Sequence, residues 1–101
     1  SIEQRPEKVN NREEFGHFEM DLVVGKNNKG AILTITERKT GHLICRHLPG
    51  GKNAQQVAKA VVEELLPFKK HVHSITTDNG TEFAEHKTIA KILNTTIYFT
   101  H

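Results

Sequence analysis

The chain has 101 residues, enough for one small domain with a single core and too few for two. Hydrophobic residues make up 36% and charged residues 26%, which is too apolar for a disordered chain, and no apolar run approaches the roughly 18 residues of a membrane span. The net charge of +2 is low for a dedicated nucleic-acid-binding module, and the basic groups at Arg38-Lys39 and Lys69-Lys70-His71 read as solvated surface.

Ser1 to Gly16 is polar, contains Pro6 and Asn10-Asn11, shows no periodicity and reads as an arm or linker. No basic-then-apolar leader suggests export. His17 to Gly25 alternates: Phe18, Met20, Leu22 and Val24 share one face of a strand, Glu19, Asp21 and Val23 the other. Lys26 to Gly30 has tight-turn composition. Ala31 to Arg38, rich in β-branched residues, is a second strand. After a turn over Lys39 to Gly41, His42 to Leu48 gives a third, so the opening reads as an antiparallel meander. The single cysteine, Cys45, fits a reducing compartment and is expected to be a small core residue.

Pro49-Gly50-Gly51 breaks the pattern, and Asn53 is the predicted N-cap of a helix running to about Leu66. Val57, Val61 and Leu65, with Ala58, Val62 and Leu66 beside them, form its apolar stripe, and Pro67 is expected to end it. His73 to Asp78 is a fourth strand, along which His71 and His73 alternate. A second helix is predicted over about Ala84 to Leu93 with Ile89, Ile92 and Leu93 inward, and Thr95 to Phe99 is a last strand. The predicted order is β-β-β-α-β-α-β, an α/β mixed sheet in which the strands after the first helix pair in parallel. Seven histidines are scattered without C-x-x-C or H-x-x-x-H spacing, so a zinc site is not expected.

Two strand-like segments carry an Asp, and a buried ionised carboxylate is costly unless something pairs with it. Asp21 follows Phe, Glu and Met; Asp78 stands where a β-rich run gives way to Asn-Gly. If the first and fourth strands are neighbours, the two carboxylates meet, and a hard oxygen pair of that kind suits Mg²⁺ or Mn²⁺. Alone, each has a plain structural reading: Asp78 as a turn residue, and Asp21 as an edge charge or a partner for Lys or Arg.

Thr77-Asp78-Asn79-Gly80-Thr81-Glu82-Phe83 resembles the DNG-x-EF signature of retroviral-type integrases and insertion-sequence transposases. Gly16-His17-Phe18-Glu19-Met20-Asp21 is similar to the Gly-His-Trp-Glu-x-Asp segment of the insertion-sequence-thirty family, with Phe18 in place of Trp. The resemblance runs from about Phe15 to His101 and implies a ribonuclease-H-like fold and a DDE-type catalytic core. It further implies that Asp21 and Asp78 are catalytic and bind the metal, that double-stranded DNA is the substrate, and that the protein acts in the bacterial cytoplasm. Asn79, Gly80 and Glu82 would shape the active-site loop, Glu82 being equally readable as a first-turn helix acid. Glu19 would be an accessory acid or else the partner of a surface Lys.

The family's third carboxylate, a Glu on a later helix, has no counterpart before His101. The sequence therefore reads as an arm over residues 1–16 and a partial core over 17–101, lacking the C-terminal helix and nearly inactive by itself. Sheet surface left uncovered would favour a homodimer or higher oligomer. The competing readings are a non-catalytic DNA-binding or dimerisation module and a ribonuclease-H-type nuclease.

Overall fold

Alternation of period two decides the first half of the molecule. In the computed structural model, which describes residues 14–26, 30–51, 53–78 and 84–100, His17–Val24 (β1), Ala31–Glu37 (β2) and Leu43–Leu48 (β3) form the expected antiparallel meander. Phe18, Met20 and Leu22 of β1 and Leu33 and Ile35 of β2 are buried on one face. Glu19, Asp21, Val23 and Ile32 are exposed on the other.

Asn53 caps the first helix, Ala54–Leu65 (α1), its side chain accepting from the N–H groups of Gln55 and Gln56. Pro67 does not stop the chain outright. Proline's fixed φ suits a first helical turn, and Leu66–His71 continues as a 3₁₀ helix. His71 therefore ends a helix rather than alternating with His73 along a strand. Ser74–Asp78 (β4) follows, then His86–Leu93 (α2) and Thr96–Thr100 (β5).

The sheet order is β3-β2-β1-β4-β5, with β4 parallel to both β1 and β5. Both helices cover one face, where Val57, Val61 and Leu65 of α1 and Ile89 and Leu93 of α2 close the core over Leu33 and Ile75. Arg46 ties β3 to α1 through Glu63 at 2.8 Å and Glu64 at 3.3 Å. Three predicted core positions are corrected. Leu66 and Ile92 turn outward, at 49% and 42% exposure, because each flanks the buried stripe of its helix. Cys45 is exposed because β3 inserts Ile44 and Leu48 toward the core and leaves the intervening parity outside.

Candidate functional site

The parallel register sets the site. His17 pairs with Ser74, Phe18 with Ile75 and Glu19 with Thr76. Asp21 and Asp78 each lie two residues beyond the last of these pairs, so they stand level on neighbouring strands whose ordinary spacing is about 4.8 Å. Both are exposed, on the face that carries no helix among the described residues, and both line a cleft of about 430 Å³. Glu19, Thr34, Thr36 and Thr76 complete most of its wall. Their exposure removes the burial cost that made carboxylates in strands look anomalous. One oxygen of Asp21 accepts the Leu22 N–H at 2.8 Å, which restrains the side chain. The Thr34 hydroxyl donates to the Asp21 carbonyl at 3.5 Å, and that of Thr100 to the Thr77 carbonyl at 3.3 Å.

Glu19 shares this face, but its Oε1 lies 3.3 Å from Nε of Arg38. The Arg38 side chain is only 9% exposed, and its Nε and Nη1 make no formed hydrogen bond among the described residues. A nearly buried guanidinium, not a surface lysine, thus engages Glu19. Among the described residues no three His, Cys, Asp or Glu side chains cluster closely enough to hold a metal ion. The donor set is two carboxylates with hydroxyls around them, all oxygen, which fits a hard cation that keeps several waters. Asn79, Gly80 and Glu82 lie outside the described residues.

Below the cleft, a polar knot fixes the strands that carry the acids. Gly16 has φ +109°, and a Cβ there would lie 1.8 Å from the His71 carbonyl oxygen. Its N–H donates to Glu37 Oε2 at 2.9 Å, and its carbonyl accepts from the N–H groups of His73 and Ser74. One residue thereby joins the start of β1, the end of β2 and the start of β4. His17, buried beside it, lies 2.7 Å from the Ser74 hydroxyl through Nδ1 and 2.8 Å from Glu14 through Nε2. Glu37 is 1% exposed and also accepts from the Thr40 N–H at 2.6 Å and hydroxyl at 2.8 Å. Burial pushes its carboxyl up, but the Gly16, Thr40 and Lys39 N–H groups and the Thr40 hydroxyl together hold it below its ordinary value. Sequence reasoning did not single out Glu37. The available signal was its place in the inward series Ala31, Leu33, Ile35, Glu37.

The integrase core domain family matches residues 11–101. The chain is 49% identical over 98 residues to a transposase for insertion sequence element IS4351 of Bacteroides fragilis, an overlap of 97% of this chain and 30% of that protein. It is 43% identical over 105 residues to a probable transposase for insertion-like sequence element IS1161 of Streptococcus salivarius, covering 100% of this chain and 28% of the relative. It is 32% identical over 99 residues to transposase InsI for insertion sequence element IS30C of Escherichia coli, covering 97% and 25% respectively. The chain thus spans less than a third of the length of these relatives.

Proposed function

The chain belongs to the integrase core domain family, and from that premise we propose that it is the part of a transposase core whose Asp21 and Asp78 hold divalent cations for DNA cleavage and joining. The observation that carries this reading is the level placement of the two carboxylates on adjacent strands, in one oxygen-lined cleft. Asp21 and Asp78 would hold Mg²⁺ or Mn²⁺, with the Leu22 N–H restraining one oxygen of Asp21. A cation held there would supply Lewis-acid activation of water or a 3′-hydroxyl and charge compensation at phosphoryl oxygens. The chain's own contribution is rigidity: Gly16, Glu37 and His17 clamp β1, β2 and β4 at the foot of the cleft, and tight positioning of reacting groups is a large part of phosphoryl-transfer catalysis. Glu19, engaged by Arg38, serves as a fixed negative wall of the cleft rather than as a metal ligand.

Double-stranded DNA as substrate, a cytoplasmic setting, residues 1–16 as an arm, and a homodimer or higher oligomer belong to the same proposal. Val23, Ile32 and Leu43, exposed at 57%, 46% and 55%, are apolar surface that such an assembly would cover. Asn79, Gly80 and Glu82 complete the proposed active-site loop. No helix among the described residues is long and apolar enough to cross a membrane.

The test is Mn²⁺-dependent nicking and joining of duplex DNA by the full-length protein that carries this chain, with Asp21→Asn and Asp78→Asn as controls. Loss of both reactions in either variant, with folding retained, is the expected result. Activity indifferent to Asp78→Asn would make the aspartates structural and end the catalytic reading.

A further inference from the structure

The end of the sheet opposite Asp78 has the reverse electrostatic character. There the 3₁₀ helix finishes in Lys69, Lys70 and His71, all exposed, before Val72 anchors the chain in the core at 3% exposure. The end of α2 arrives beside them. Asn94 takes the left-handed conformation, φ 51° and ψ 53°, and hands the chain to Thr95 and Thr96 at the start of β5. Between the two segments lies a groove of about 600 Å³, larger in volume than the aspartate cleft.

The groove wall offers two ammonium groups from Lys69 and Lys70, the His73 imidazole, the Asn94 amide and the Thr96 hydroxyl, and no carboxylate among the described residues lines it. Neither lysine enters an ion pair among the described residues, where Glu19 is engaged by Arg38 and Glu63 and Glu64 by Arg46. Two adjacent, unneutralised ammoniums with neutral donors facing them across a groove suit a row of phosphates. They would repel a metal ion. β4 separates this groove from Asp78 by five residues, about 16 Å at the ordinary rise of a strand. Duplex DNA carries a phosphate charge about every 1.7 Å, so that span corresponds to roughly nine or ten phosphates, about half a helical turn.

We propose that the groove walled by Lys69, Lys70, His73, Asn94 and Thr96 binds the phosphate backbone of duplex DNA outside the aspartate cleft, a contact that positions the duplex without metal. It rests on the DNA-processing reading above for the identity of the polyanion. The groove itself does not depend on catalysis by Asp21 and Asp78.

Binding of a random-sequence duplex by the chain, measured in EDTA across a salt series, tests this. Lys69→Gln/Lys70→Gln should reduce the magnitude of the slope of log affinity against log salt by about 1.8, which corresponds to roughly 60-fold weaker binding near 0.1 M salt. Lys69→Arg/Lys70→Arg should keep the parent slope, so a loss caused by misfolding would be exposed by this pair and by thermal melts. An unchanged slope in the Gln variant, or no duplex binding by the parent at low salt, overturns the groove. The catalytic reading is decided separately by the nicking assay, since lysine variants that bind normally alongside aspartate variants that cannot nick would refute the groove alone.

Discussion

Replacing Glu37 by Gln isolates the ionic part of the knot beneath the cleft. The carboxylate is 1% exposed and accepts from the Gly16 N–H, the Thr40 N–H and the Thr40 hydroxyl. A carboxamide keeps the shape but turns one end into a donor, so a buried backbone N–H loses its acceptor at a cost of about 1–3 kcal/mol. The remaining bonds lose their charge assistance, which adds about 1 kcal/mol. A total near 3 kcal/mol is a large share of the roughly 5–15 kcal/mol that holds a domain of this size folded, and it should lower Tm by roughly 15 °C. The pH dependence gives the sharper test. Glu37 has a folded pKa depressed below 4.5, so its contribution is fully present above that value and is lost as pH falls through the folded one. Parent and variant are to be melted by circular dichroism from pH 7 to pH 3. The gap between them should be widest at neutral pH, begin to narrow below pH 4.5, and close as pH falls through the lower folded pKa, where a protonated Glu37 resembles the Gln. A gap that stays constant across the range, or no gap at pH 7, would refute an ionised, hydrogen-bonded Glu37.

Three other outcomes are expected. Gly16→Ala drives a Cβ into the His71 carbonyl at a positive φ and should cost more than about 4 kcal/mol in urea unfolding, or prevent folding. Asn53→Ala removes the acceptor for the Gln55 and Gln56 N–H groups, at 3.1 and 3.2 Å, and should cost about 1 kcal/mol in the same assay. Mn²⁺ at ten times its dissociation constant should stabilise the parent by about 1.4 kcal/mol, and Asp21→Asn should abolish most of that rise in the thermal melt.

The fold was legible because its elements carry clean periods. The alternation in β1 and the spacing Val57, Val61, Leu65 in α1 each allow only one buried face, and the structure buries it. A local pattern misleads where its burial depends on neighbouring elements. Cys45 sits among Leu43 and Ile44, yet which parity of an edge strand is covered depends on the helix packed over it, and α1 covers only the parity of Ile44, Arg46 and Leu48. Ile92 and Leu66 lie next to buried residues in sequence and beyond the contact stripe in space. Asp21 could be placed on the outward face from β1 alone. Its meeting with Asp78 required knowing that β4 docks in parallel beside β1, which only the folded topology supplies. The buried guanidinium of Arg38 had no local signal, since a charged residue ending a strand before a turn reads as solvated.

The topology also accounts for the location of the cleft. β1 leads into β2 and β3 on one side, whereas β4 leads through α2 to β5 on the other. The strands that follow β1 and β4 in the chain therefore lie on opposite sides of the pair, which places the carboxyl ends of β1 and β4 at a switch in strand order. In open α/β sheets ligands bind at such points, where neighbouring strand ends leave a crevice. Asp78 is the last residue of β4, and Asp21 is level with it on β1. A residue two positions earlier on either strand, Glu19 or Thr76, lies back inside the paired ladder. There Arg38 engages Glu19, and Thr76 is buried at 5%. The two strands thus offer one level at which a carboxylate from each is both exposed and held by a rigid ladder beneath it, and that level is occupied by aspartates.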